Sequence, residues 1–184
     1  MTVGVLALQG DFEAHVAALR GAGAETTTVR TREELDAVDG LVVPGGESTT
    51  MLKLIEYRDL WEPLREFGER KPIFGTCAGA ILLASEVQSP AQASFGLCEM
   101  TVERNAYGRQ VDSRIVHIPA EGLGDIEAVF IRAPIIRRVG PSAKVLARYL
   151  GDPVLVDFGR HLVATFHPEM TADSRIHRLF LSKV

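Results

Sequence analysis

Apolar and polar positions follow one rhythm through residue 85 and a different one after it. Residues 3–8 are an unbroken apolar run, the pattern of a strand buried on both faces. Gln9, Gly10 and Asp11 turn the chain into a helix whose Phe12, Val16 and Leu19 share a face, with Gly21 placed to end it. A more polar strand at 26–29, a charged helical turn at 32–37 and an apolar strand at 40–43 follow, the last closed by Pro44, Gly45 and Gly46. Residues 49–58 and 60–70 read as helices, the second starting close to Pro63. Residues 72–74 form the next strand and 79–85 the helix after it. Strands alternating with helices predict a parallel sheet covered on both faces.

The second rhythm is that of hairpins. Residues 102–118 hold two strand-like pieces around a turn at Gly108, and 128–132 is another such piece. Short strands at 144–149, 154–158 and 161–166 are joined by Gly151, Asp152 and Pro153 and then by Gly159 and Arg160. That turn chemistry suits antiparallel pairs. A helix at 173–181 completes the pattern, and residues 85–94 are Ala-, Gln- and Ser-rich. With no repeat, low-complexity tract or linker, the expectation is one α/β domain over residues 1–184. It has a mostly parallel central sheet flanked by helices, with added antiparallel hairpin strands.

Composition narrows the functional classes. Apolar residues at 46% and charged residues at 24% are an ordinary globular balance. A net charge of −4 argues against a nucleic-acid surface, which needs excess Lys and Arg. No apolar run reaches the roughly 20 residues of a membrane span, and the N-terminus does not read as a signal peptide. Two cysteines, Cys77 and Cys98, are too few for a disulfide framework, so a cytoplasmic location is expected. No Cys and His spacing fits zinc, and no metal or cofactor is expected.

Candidate chemistry centres on Cys77, set between Gly75 and Gly79 at the end of a strand and ahead of a helix. This is the strand–turn–helix elbow with cysteine as the nucleophile, at the sheet edge where open α/β proteins gather their active groups. The glycines permit close backbone approach, and the helix N-terminus favours thiolate. The bland alternative is a small core residue in a glycine-rich turn. A thiol nucleophile needs a base and the base an orienting acid. Of five histidines, His167 alone ends an apolar strand and precedes Pro168 and Glu169, whose carboxylate is near enough to hold its ring. Oxyanion donors are the amides of Ala78 and of the Gly45–Gly46 loop, where Ser48 could equally be a simple helix cap.

The Gly-Gly loop, the Gly-x-Cys-x-Gly elbow and His-Pro-Glu, in this order, resemble the class I (triad) glutamine amidotransferases. Longer runs narrow the likeness: residues 8–10, 44–51, 74–79, 102–113, 130–134 and 166–169 resemble the glutaminase subunits of pyridoxal phosphate synthases. The resemblance implies a flavodoxin-like, class I amidotransferase fold. It implies Cys77 as nucleophile, His167 as base and then acid, and Glu169 as its orienter. It implies glutamine contacts from Gly46, Glu47, Ser48, Arg104, Ile131 and Arg132, with Gly46 and Ala78 serving the oxyanion. Gln9 resembles a loop residue linking the oxyanion site to a partner surface. His15 matches a helix histidine that either lies at that interface or is simply part-exposed. The implied reaction releases ammonia from L-glutamine to a synthase partner of (β/α)8 barrel type in a large hetero-oligomer. That partner builds pyridoxal 5'-phosphate from ammonia, a pentose phosphate and a triose phosphate. A glutaminase serving another synthase, a peptidase-like hydrolase and a non-catalytic binding subunit stay open on the residues alone. Cys98 reads as core, and His117, His161 and His177 carry no assigned role.

Overall fold

The computed structural model describes residues 1–105 and 113–184, so the expected turn at Gly108 lies outside the described residues. The first half runs β1 (Thr2–Leu6), α1 (Phe12–Gly21), β2 (Glu25–Val29), α2 (Arg32–Asp36), β3 (Gly40–Val43), α3 (Ser48–Tyr57), α4 (Trp61–Arg70), β4 (Ile73–Thr76) and α5 (Ala78–Leu83). The second half adds β5 (Ala84–Gln88), β6 (Cys98–Glu103), β7 (Arg114–Ala120), β8 (Gly124–Phe130), β9 (Ile135–Val139), β10 (Lys144–Tyr149), β11 (Asp152–Asp157) and β12 (Leu162–Ala164). A 3-10 turn (Pro168–Met170) and α6 (Arg175–Leu181) close the chain.

Among the described residues, nine strands form one sheet in the order β2-β1-β3-β4-β12-β11-β10-β7-β8. From β2 through β12 the neighbours run parallel, and from β12 to β8 antiparallel. The order 2-1-3-4 is that of flavodoxin-like sheets, as expected. The inner parallel strands are largely apolar because alternate side chains feed separate cores, whereas the edge strand β2 (ETTTV) buries only Val29. Leu41 and Val43 of β3 join Met51, Ile55, Leu64 and Phe67 on one face. Val42 and Phe74 join Leu19, Ile176 and Phe180 on the other.

A second sheet, β5-β6-β9, departs from the expected pattern. The two pieces at 102–118 do not pair with each other: β6 lies between β5 and β9, while β7 pairs with β8 and β10. Strands β5 and β9 were not expected. In β5 only Ala84 and Val87 are buried, too sparse a pattern to stand out from a polar loop.

Candidate active site

Strand β4 ends at Thr76, and the next residue turns sharply. Cys77 adopts φ 48° and ψ −103°, a conformation L residues rarely hold, and its N–H donates to the Ala164 carbonyl of β12 at 2.9 Å. A Cβ at Gly79 would collide with the Val43 carbonyl, so the glycine after the elbow is a packing requirement. The thiol is 6% exposed and lies 4.0 Å from the Ile131 carbonyl. The residue is thus buried, yet it sits at the sheet edge and lines the pocket described below.

Strand β12 runs beside β4, which brings His167 to the same edge. Its N–H donates to the Val129 carbonyl at 2.8 Å, and its Nδ1 meets Glu169 Oε1 at 2.6 Å. A Cβ on Gly45 would stand 2.5 Å from His167 Cε1 and 3.3 Å from Cys77 Cβ, so this loop glycine packs against both residues at once. Burial pushes the His167 pKa down, but hydrogen bonding to Cys77 and Glu169, reinforced by their charges, outweighs it and lifts the group to about 10. An imidazole in that setting is poised to hold a proton between a sulfur and a carboxylate.

The loop after β3 supplies the opposite wall. Gln9 Oε1 accepts from the Glu47 N–H at 2.9 Å, tying the β1 turn to the Gly-Gly loop. A pocket of about 290 Å³ is lined by Gly10, Asp11, Gly45, Gly46, Cys77, Ile131, Arg132, His167 and Met170. Of the expected substrate contacts, Gly46, Ile131 and Arg132 border it. Glu47, Ser48 and Arg104 do not, and instead form a cluster beside it. Glu47, not Ser48, caps α3, accepting from the N–H groups of Thr49 and Thr50 at 3.1 and 2.7 Å. Burial nudges its carboxyl up, but the Thr50 and Thr49 hydrogen bonds prevail and hold it at about 2. Ser48 is buried and donates to Gln92 Oε1 at 3.1 Å. Arg104 donates to Thr49 Oγ1 at 2.8 Å and lies 3.8 Å from Glu47. It is thus no solvated surface charge.

His15 is placed quite differently from expectation. It is 0% exposed, so its side chain is neither part-exposed nor available to a docking partner. Nε2 lies 3.0 Å from Thr76 Oγ1 and 3.3 Å from Glu169 Oε2, and Nδ1 faces His177 Nε2 at 3.1 Å. Sequence reasoning missed this cluster because a histidine beside Phe12 and Val16 reads as the polar border of an apolar helix face. His177 likewise sits between Ile176 and Phe180 in α6. Asp11 and Met170, also missed, could have been found as near neighbours in sequence of Gln9 and Glu169, two positions and one position away. Cys98 is fully buried, and burial pushes its thiol far up, as a core residue requires. Among the described residues, Asp11, His167 and Glu169 have ligand atoms within 4.8 Å of one another. His167 Nδ1 and Glu169 Oε1 are already bonded to each other, which suits a base and its orienter better than a chelate. No described helix is long and apolar enough to cross a membrane.

Comparison with known proteins gives the same reading of the whole chain. The SNO glutamine amidotransferase family matches residues 5–184. The pyridoxal 5'-phosphate synthase subunit PdxT of Solibacter usitatus is 60% identical over 189 residues, covering 99% of this chain and 98% of its own. The subunit of the same name from Thermotoga maritima is 50% identical over 187 residues, with both chains fully covered. A crystal structure of a glutamine amidotransferase, 49% identical, superposes with a TM-score of 0.92 over 98% of this chain and 97% of its own. PurLQS from Thermotoga maritima, 16% identical, has a TM-score of 0.71 over 98% of this chain and 97% of its own, a likeness of fold alone. With an elbow cysteine, a paired histidine and this full-length match, the chain belongs to the SNO glutamine amidotransferase family.

Proposed function

We propose that the protein is the glutaminase subunit of a pyridoxal 5'-phosphate synthase. In this reading residues 1–184 act as one domain that hydrolyses L-glutamine to glutamate and ammonia. His167 takes the proton of Cys77, whose Sγ attacks the side-chain amide carbon, and the amides of Gly46 and Ala78 receive the oxyanion. His167 donates its proton to the departing nitrogen, releasing ammonia and leaving a glutamyl thioester on Cys77. His167 then takes a proton from water, whose oxygen attacks the thioester, and returns it to sulfur as glutamate leaves. Glu169 orients the imidazole and stabilises its charged form. Gly46, Ile131 and Arg132 bind glutamine directly. Glu47, Ser48 and Arg104 shape the adjoining wall, where an Arg and a Glu complement the carboxylate and ammonium of an amino acid.

The observation that carries this reading is the His167 ring, bonded to Glu169 at 2.6 Å and packed with Cys77 against Gly45. Ammonia freed into neutral water is protonated and loses its nucleophilicity, so a glutaminase of this kind works against a synthase that receives ammonia directly. The full-length relatives named as pyridoxal 5'-phosphate synthase subunits support a synthase partner of that class. Resemblance to the subfamily supports a (β/α)8 barrel partner, a large hetero-oligomer and docking that involves Gln9. Two unpaired cysteines support a cytoplasmic location.

The test combines the chain with a synthase subunit, a pentose phosphate, a triose phosphate and glutamine. Pyridoxal phosphate should form with glutamine, fail to form with Cys77→Ala, and form again when an ammonium salt is added to that variant. Product from ammonium but never from glutamine would overturn the proposal.

A further inference from the structure

Behind the triad lies a buried chain of polar groups that the reaction as described does not use. Glu169 is reached by an imidazole at each oxygen: His167 Nδ1 at Oε1, 2.6 Å away, and His15 Nε2 at Oε2, 3.3 Å away. His15 comes from α1 and His177 from α6, and both are 0% exposed. Thr76, whose Oγ1 also faces His15 Nε2, directly precedes the nucleophile.

Elimination assigns the protons. An ionised carboxylate only accepts, so the nitrogen facing it carries hydrogen, which makes His15 Nε2 a donor. Its N–H meets Thr76 Oγ1 at 3.0 Å and stands 3.3 Å from Glu169 Oε2, within electrostatic reach but outside hydrogen-bond geometry; Oε2 has no hydrogen-bond partner among the described residues. Burial first, and then the neighbouring His177 and His167, keep His15 from taking a second proton, so its Nδ1 is bare and accepts from His177 Nε2. Burial holds His177 at about 4 against the upward pull of Asp173, so it too is neutral, with a bare Nδ1. That Nδ1 is itself without a partner among the described residues, as a lone pair in an apolar setting would be.

We propose that His15 is a positioning residue for glutamine hydrolysis: its Nε2–H, anchored from behind by His177, fixes Glu169 and Thr76 together. The carboxylate stays turned toward His167, and the backbone of the elbow stays seated under Cys77. Glu169 rises from a three-residue 3-10 turn, and His167 bonds only its Oε1, so the second oxygen is where a further hold would act. This inference rests on the reading of Cys77, His167 and Glu169 as the triad.

The experiment follows the labelling rate of Cys77 by a glutamine-mimicking electrophile on the full chain, with circular dichroism to confirm folding. Wild-type labelling that Cys77→Ala abolishes supports the triad, and no labelling of the wild type would remove both readings. His15→Phe keeps the ring and loses the donor, and should slow labelling by about tenfold to hundredfold. His15→Gln, whose amide nitrogen falls near the position of Nε2, should recover most of that rate. In a Glu169→Gln background the His15→Phe change should cost several-fold less than in the wild type, because the charge it holds is gone and only the Thr76 anchor is left to lose. An unchanged rate in His15→Phe, equal loss in both His15 variants, or full loss in the Glu169→Gln background would each overturn the proposal. Should His15→Phe not fold, nitrogen NMR of the wild type takes its place. His15 and His177 should both show neutral Nε2–H tautomers, and a proton on His15 Nδ1 would contradict the assignment.

Discussion

His167 and His15 approach opposite oxygens of one carboxylate, at 2.6 and 3.3 Å, yet they are held in opposite protonation states. His167 stands at the pocket wall, where hydrogen bonds and charge from Cys77 and Glu169 overcome burial and raise it to about 10. His15 lies wholly inside, where burial dominates and two further imidazoles discourage a second positive charge, so it stays neutral. Nearness to a carboxylate therefore does not settle a histidine's charge. What settles it is the balance between burial and the partners on both sides of the ring. On the side away from the carboxylate, His167 has the sulfur; His15 has another histidine.

The largest effect expected from breaking this contrast is at His167 itself. His167→Ala should lower glutamine turnover in the assembled enzyme by at least about a thousandfold, with circular dichroism unchanged. Glu169→Gln keeps the shape but removes the negative charge. Turnover should fall by about a hundredfold to ten-thousandfold, and the imidazole should titrate nearer its ordinary value, read by proton NMR. Near-normal turnover would show that the carboxylate is not the orienter.

The buried imidazoles predict how stability depends on pH. His177 and His161 are each held at about 4, chiefly by burial, below the ordinary 6.5, and His15 is lowered in the same direction. A folded-state pKa below the unfolded value gives stability that is present above pH 6.5 and is lost as pH falls toward 4. The loss should be on the order of 3 kcal/mol for each of His177 and His161, measured by urea unfolding across that range. His167 has the opposite sign. Its contribution is complete below about 6.5 and is lost as pH climbs through about 10.

The smallest effect belongs to His161, an imidazole with a purely structural partner. Its Nδ1 accepts from the Ile73 N–H at 3.1 Å, far along the strand from the pocket. His161→Phe should cost about 1–3 kcal/mol of stability through the orphaned N–H, while the labelling rate of Cys77 stays at the wild-type value. A fall in that rate would mean that the register of β4 controls the elbow.

Much of this arrangement was legible in the sequence, for a physical reason. The parallel half announces itself because strands buried on both faces are apolar at every position, and the elbow and His-Pro-Glu carry their own steric and chemical signatures. What stayed hidden depends on packing between distant segments. Strand β5 has two buried positions out of five and is recognisable only by its pairing with β6. Strand β9 buries only Ile135 and Ile136, and its arginines read as surface. The Glu47 cap lies one residue ahead of the Ser48 a sequence rule selects. His15 and His177 are 162 residues apart, and no local pattern tells a buried imidazole pair from two solvated ones.

The most direct measurement is mass spectrometry of the assembled enzyme quenched during glutamine turnover. A glutamyl adduct should appear on the peptide that carries Cys77 and vanish in Cys77→Ala. Turnover with no adduct there, or an adduct on Cys98 instead, would contradict thioester chemistry at the elbow.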